Sequence, residues 1–220
     1  MIQLVVDSTA AVPKDFLEQH ANVHVIPLFI SVKGEYVPEN EATIEQVIEY
    51  SESTKKAVPT SQPSTGDFLK LFESLPKEDP IIVICITSGV SGTYNGAVLA
   101  ARQSGRKQIA VINSRTTAVG MMEVLEDGLD MIEKGLSFEE ISKGLQESAS
   151  LMRTTFTVPT LDYLRRGGRV GKAAGLIGSI LKIKPVIFLN DNNEVDVLDK
   201  VSTEKKASAA MLDYLHKNSP

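Results

Sequence analysis

The segment Ile81-Ile82-Val83-Ile84-Cys85-Ile86 is apolar at every position and passes directly into Thr87-Ser88-Gly89-Val90-Ser91-Gly92-Thr93. A strand with apolar side chains on both sides must be covered on both faces, as in a parallel sheet between two layers of helices. Ile2 to Val6, apolar except at Gln3, is a similar run that stops at Asp7-Ser8-Thr9, and Gln108 to Ile112 leaves through Asn113-Ser114-Arg115-Thr116-Thr117. Helical patterns follow each of these, from Pro13 to about Gln19, from Tyr94 to Arg102 and from Ala118 to about Glu133. Strand, hydroxyl-rich loop and helix in repeated order predict an α/β domain: a mostly parallel sheet with flanking helices, whose ligands bind beyond the carboxyl ends of the strands.

Between these units, Val23 to Val32 reads as a strand with Pro27 near its start, and Thr43 caps a helix to about Lys56. Val58-Pro59-Thr60-Ser61-Gln62-Pro63-Ser64 is a loop stiffened by two prolines, followed by a helix from Asp67 to Leu75. Ser137 with Glu140 three residues on is a capping box for a helix to about Ala149. Near Arg153 the character changes. Thr154 to Val158 has strand composition, Pro185 to Leu189 and Glu194 to Leu198 make a hairpin across Asn190-Asp191-Asn192-Asn193, and Thr203 to His216 is a last helix. Two domains are expected: residues 1–152 as the sheet domain and 153–220 as a second, α+β domain.

Composition narrows the function classes. Of 220 residues, 42% are hydrophobic and 23% charged, enough to build a core and unlike a disordered chain. No apolar run reaches the roughly 20 residues of a membrane span, and the amino end lacks a basic-then-apolar leader, so the cytoplasm is the expected location. One cysteine, Cys85, excludes an internal disulfide, and His20, His24 and His216 are not spaced with it as metal ligands. A net charge of -5 argues against nucleic acid or anionic lipid as whole-surface partners.

Three hydroxyl-bearing loops remain, and one basic stretch. Ser91, between a strand and a helix, has the position of a nucleophile, yet Gly89-Val90-Ser91-Gly92-Thr93 lacks the second glycine of a G-x-S-x-G elbow. A serine-dependent hydrolase or transferase is therefore the alternative, not the leading, reading. Hydroxyls beside free amides at a helix start also make an anion site, and the plainest reading is that Ser91 caps its helix. Arg165-Arg166-Gly167-Gly168-Arg169-Val170-Gly171-Lys172 matches no phosphate-loop pattern. It is either a solvated helix end or a docking patch, as in an adaptor for nucleic acid or a phosphoprotein.

In this order, Asp7-Ser8-Thr9-Ala10, Pro59-Thr60-Ser61-Gln62-Pro63-Ser64, Thr87 through Tyr94, Asn113-Ser114-Arg115 and Leu164 through Arg169, followed by Ile177-Gly178-Ser179-Ile180-Leu181-Lys182-Ile183-Lys184-Pro185, resemble the DegV family over Ile2 to about Lys206. The resemblance implies a bacterial, non-catalytic protein that binds a long-chain fatty acid such as palmitate between two domains and presents its carboxylate to a separate ATP-dependent kinase for acyl-phosphate formation. It implies no other cofactor and no metal. Thr60 and Ser91 look like the carboxylate ligands, with Ser61, Gly92 and Thr93 close by. Met121, Ile177 and Leu181 are possible acyl-tunnel residues, although ordinary core is the plainer reading of any one of them. Arg165, Arg166 and Arg169 resemble the kinase-docking region. Asn113 stands where the family commonly has aspartate. Members continue past this carboxyl end through further strands and a His-x-Gly-Pro-Gly loop, so by that comparison the second domain is incomplete at its C-terminal end.

Overall fold

A computed structural model describes residues 1–32, 34–176 and 183–219. The elements in chain order are β1 (Gln3–Asp7), α1 (Lys14–Gln19), β2 (Val23–Ile26), β3 (Phe29–Ile30), β4 (Val37–Pro38), α2 (Ile44–Thr54), β5 (Thr60–Ser61), α3 (Thr65–Ser74), β6 (Ile81–Cys85), α4 (Thr93–Gln103), β7 (Ile109–Asn113), α5 (Val119–Glu133) and α6 (Phe138–Leu151). They continue with β8 (Thr155–Thr157), α7 (Asp162–Arg166), β9 (Lys184–Leu189), β10 (Val195–Val201) and α8 (Glu204–Asn218). These divide into two compact units, residues 1–42 with 60–152, and 43–59 with 153–220. A single cut after residue 152 does not describe this division, because the α2 segment belongs with the second unit.

In the first unit, β2-β1-β6-β7 form a four-stranded, all-parallel sheet. The central strands β1 and β6 are buried at every position. Alternation of side chains along each strand then sorts two cores. Leu4, Val6, Ile82 and Ile84 meet Met121, Val124 and Leu125 of α5 and Ile141 and Leu145 of α6 on one face. Val5, Ile81, Val83 and Cys85 meet Phe68 and Phe72 of α3 and Ala97 and Ala100 of α4 on the other. The α/β architecture expected from the fully apolar strands is the one observed.

Local chemistry sets the element ends. Pro27 lacks an N–H, and the expected strand from Val23 to Val32 is split into β2 and β3 around it. The second piece pairs antiparallel with β4 and β5 in a small sheet of order β4-β3-β5. Capping boxes start α2 (Thr43 with Gln46), α3 (Ser64 with Asp67) and α6 (Ser137 with Glu140). Thus α3 begins at Thr65, two residues before the expected start. At its far end, Arg106 donates to the carbonyl oxygens of Phe72, Leu75 and Pro76, at and just beyond the last turn, where a cation is favoured.

The second unit holds the antiparallel sheet β10-β9-β8, with α8 packed on it through Phe188 and Tyr214, whose ring centroids are 5.4 Å apart. The β9–β10 hairpin turns across Asn190 to Asn193 as expected. The Asn190 side-chain oxygen accepts from Asn192 N at 2.9 Å and Glu194 N at 3.1 Å, and Asn193 takes the left-handed conformation that asparagine tolerates. Among the described residues no helix is long and apolar enough to cross a membrane.

Candidate functional site

The chain leaves β1 toward β2 on one side and returns to β6 on the other, so the order of the parallel sheet reverses between β1 and β6. At such a switch point the two following connections pass to opposite faces and open a crevice at the carboxyl ends of the strands. Here that end is formed by residues 7–10 after β1 and 86–93 after β6.

Asp7 ties these loops together. Its fully buried carboxylate accepts from the Ile86 backbone N–H at 2.6 Å, from Thr9 N at 3.0 Å and from the Thr9 hydroxyl. Burial pushes the Asp7 carboxyl above its ordinary value, with the three donors pulling against that rise. Ser8 Oγ accepts from Leu28 N at 2.8 Å and also hydrogen-bonds the half-buried Glu39, whose carboxyl burial and the nearby Asp7 charge push upward. The third loop is laced to the others. Asn113 accepts from Ser88 N and Arg115 N at 3.2 Å each and donates from its amide to Ser88 Oγ at 2.8 Å. Thr87 N donates to Thr116 O at 2.9 Å, and Ala118 N to Thr9 O at 3.1 Å. An aspartate at position 113 would keep both acceptor roles and receive the Ser88 hydroxyl proton instead, which makes asparagine a mild departure.

Ser91, Gly92 and Thr93 form the start of α4. Gly92 is the N-cap, and no side chain caps the helix, in contrast to α2, α3 and α6. Ser91 Oγ lies 2.9 Å from Thr93 Oγ1 and takes only a long 3.4 Å bond from Thr93 N. The reading of Ser91 as an ordinary cap therefore fails. Half-buried Ser91 and fully buried Thr93 place two hydroxyls beside the first amides of α4, where the printed side-chain bond is the long one from Thr93 N. The two histidines of this unit are engaged elsewhere: His20 Nδ1 lies 2.8 Å from Phe16 O, and His24 Nε2 lies 2.7 Å from Gln3 Oε1.

Thr60 and Ser61 are β5, an exposed edge of the small sheet, paired with Ile30 and Phe29. The next residue, Gln62, connects them to α4. A methyl group built on Gly92 would sit 2.2 Å from Gln62 Oε1, and one on Gly96 would sit 3.3 Å from Gln62 Nε2. The Gln62 side chain thus lies against the first turn of α4 and brings the end of β5 to the helix that Ser91 opens. Asp7 and Gln62 are functional-site residues that the sequence reading does not single out. The polar Asp-Ser-Thr stop after an apolar strand signals Asp7, whereas nothing in the sequence ties Gln62 to Gly92.

The remaining candidates fall elsewhere. Met121 is fully buried in the first core, where its sulfur lies 3.3 Å from Thr9 Oγ1. Ile177 and Leu181 lie outside the described residues. Arg165, Arg166 and Arg169 are exposed in the second unit, at the end of α7 that Gly167 and Gly168 close. Arg165 pairs with Asp162 at 3.5 Å, Arg166 donates to Lys55 O, and Arg169 donates to Gly167 O at 2.6 Å.

Known proteins share this architecture. The model of the DegV family matches residues 1–220. Protein DegV of Bacillus subtilis is 34% identical over 217 residues, 97% of this chain and 76% of that protein. A DegV family protein of Thermus thermophilus described for its fatty acid binding superposes with a TM-score of 0.88 at 28% identity, over 98% of this chain and 77% of that one. A stearic acid-binding protein of Eubacterium ventriosum gives a TM-score of 0.84 at 31% identity, over 99% and 78%. The chain belongs to the DegV family.

Proposed function

We propose that this protein is a cytoplasmic carrier for a long-chain fatty acid such as palmitate, whose carboxylate is held by Thr60, Ser61, Ser91, Gly92 and Thr93 and presented to a separate ATP-dependent kinase. One observation supports this reading above the others: at the sheet's switch point, the uncapped start of α4 and the Ser91–Thr93 hydroxyl pair face the segment that Gln62 ties to the same helix turn. Hydroxyls and helix amides stabilise an ionised carboxylate without a full counter-charge, and the helix dipole favours an anion there. An acyl tail of about 14 methylenes adds roughly 11 kcal/mol of gross transfer energy, reduced by association costs. The fatty acids described for the relatives agree with this ligand class. A carrier needs no general base, and the first unit's two histidines are engaged away from Ser91.

Titrating delipidated protein with hexadecanoate and with hexadecanol tests the head-group assignment. Hexadecanoate should bind at least about tenfold more tightly, since each tenfold is about 1.4 kcal/mol and a charged hydrogen bond exceeds that. Equal affinities would contradict it.

The arginines of α7 and its following turn supply the kinase-facing part of the proposal. They are a dense basic patch on a chain of net charge -5, suited to steering an acidic partner. Reversing Arg165, Arg166 and Arg169 to Glu should leave fatty-acid affinity within about threefold while abolishing acyl-phosphate formation with the cognate kinase at low salt. Parental turnover by the triple variant would remove the docking role.

A further inference from the structure

We infer that Gln62 is a positioning residue for the carboxylate site: its side chain, lying along a groove made by Gly92 and Gly96, fixes the Thr60–Ser61 strand against the start of α4. The inference rests on the fatty-acid reading of that site and adds to it the part that holds the site together.

Three observations carry it. First, β5 is two residues long and sits at the edge of its sheet, paired among the described residues with β3 alone, so ladder hydrogen bonds fix it weakly. A second attachment is needed where Thr60 and Ser61 must hold a set position. Second, Gly92 has φ -80° and ψ 4°, a conformation open to any residue, so glycine is not required there by the backbone. What glycine supplies is room, because a Cβ would overlap Gln62 Oε1 at 2.2 Å and crowd Gln62 Nε2 at 3.2 Å. Third, Gly96 lies one turn along the same helix face, inside α4, where glycine weakens a helix relative to alanine. A Cβ there would meet Gln62 Nε2 at 3.3 Å and the Pro63 carbonyl at 3.7 Å. Two glycines in i,i+4 register thus leave a groove that the Gln62 side chain occupies, and buried Pro63 continues it.

The groove also supplies a second perturbation, one that leaves the backbone N–H of Gly92 in place. The atom that a Gly92 side chain would strike is the far end of a flexible, exposed side chain, so Gly92→Ala displaces Gln62 without requiring the fold to shift. The clamp therefore predicts that Gly92→Ala reproduces the effect of Gln62→Ala, and that the double variant is no worse than Gln62→Ala alone. Gln62→Met keeps the length of the side chain and should retain the clamp.

The experiment measures palmitate affinity of delipidated full chain for the parent, Gln62→Ala, Gly92→Ala, the double variant and Gln62→Met, with melting temperature recorded for each. Gln62→Ala and Gly92→Ala should each weaken palmitate about tenfold, the double variant about tenfold and not a hundredfold, and Gln62→Met less than about threefold. Melting temperatures should stay within about 2 °C of the parent, as for exposed side chains. Multiplicative losses in the double variant, parental affinity in Gln62→Ala, or a loss in Gln62→Met equal to that in Gln62→Ala would each overturn the clamp. Should Gly92→Ala fail to fold, the comparison of Gln62→Ala with Gln62→Met decides by itself. A parent that binds no palmitate at any concentration overturns the fatty-acid reading, whereas a parent that binds it with Gln62→Ala unchanged overturns the clamp alone.

Discussion

Replacing Asp7 with alanine is expected to cost about 3 kcal/mol, because three hydrogen bonds to one carboxylate vanish and the buried Ile86 N–H is left without an acceptor, a loss offset in part by relief of the carboxyl's burial. In a chain of this size that corresponds to a fall of roughly 6–12 °C in melting temperature. Asp7→Asn should lose about half as much, since its amide keeps one acceptor but turns a donor toward a donor. Calorimetry of the two variants checks the ranking, and a fall under about 2 °C for Asp7→Ala would contradict the bridging role. The pH dependence has a definite sign. Burial raises the Asp7 carboxyl, so folding favours its protonated form. Its contribution is fully present below the ordinary carboxylate value and declines as pH rises through the raised one. The parent's advantage over Asp7→Asn should therefore be larger at about pH 4 than at about pH 7.

The double variant Thr60→Ala, Ser91→Ala should retain its fold and lose fatty-acid affinity. Thr60 is exposed, and Ser91 is half-buried with Thr93 as its one side-chain partner and no capping bond of normal length, so neither side chain contributes much to stability. Each hydroxyl is assigned one hydrogen bond to a carboxylate, worth about 1.5 to 3 kcal/mol. Removing both should weaken palmitate by roughly 10² to 10⁴, on the rule of about 1.4 kcal/mol per decade. An unchanged dissociation constant in a variant that melts at the parental temperature would place the head group elsewhere.

What the sequence makes legible depends on how local the cause is. β6 announces itself because five consecutive apolar residues fit a doubly covered strand, and β1 because the apolar run Leu4-Val5-Val6 stops abruptly at Asp7. The helices starting at Thr43 and Ser137 are legible through their caps, a contact spanning three residues. The hydroxyl loops are legible because each interrupts an apolar strand. By contrast, Asp7 meets its main-chain partner Ile86 across 79 positions, and the Gln62–Gly92 contact depends on how β5 approaches α4. The partnership of 43–59 with 153–220 is likewise long-range, and no feature of α2 itself encodes it. Even the break at Pro27, whose cause is local, needed the structure to show that β3 turns to a separate sheet.

Native mass spectrometry of the full chain, purified from bacteria without delipidation, tests the carrier reading most directly. A single adduct with the mass of a long-chain fatty acid is expected, released as the free acid on denaturation and lost from the Thr60→Ala, Ser91→Ala variant. Protein that emerges without bound lipid and stays so after incubation with palmitate would contradict it, and a covalent acyl group on Ser91 would replace the carrier with an acyl-enzyme.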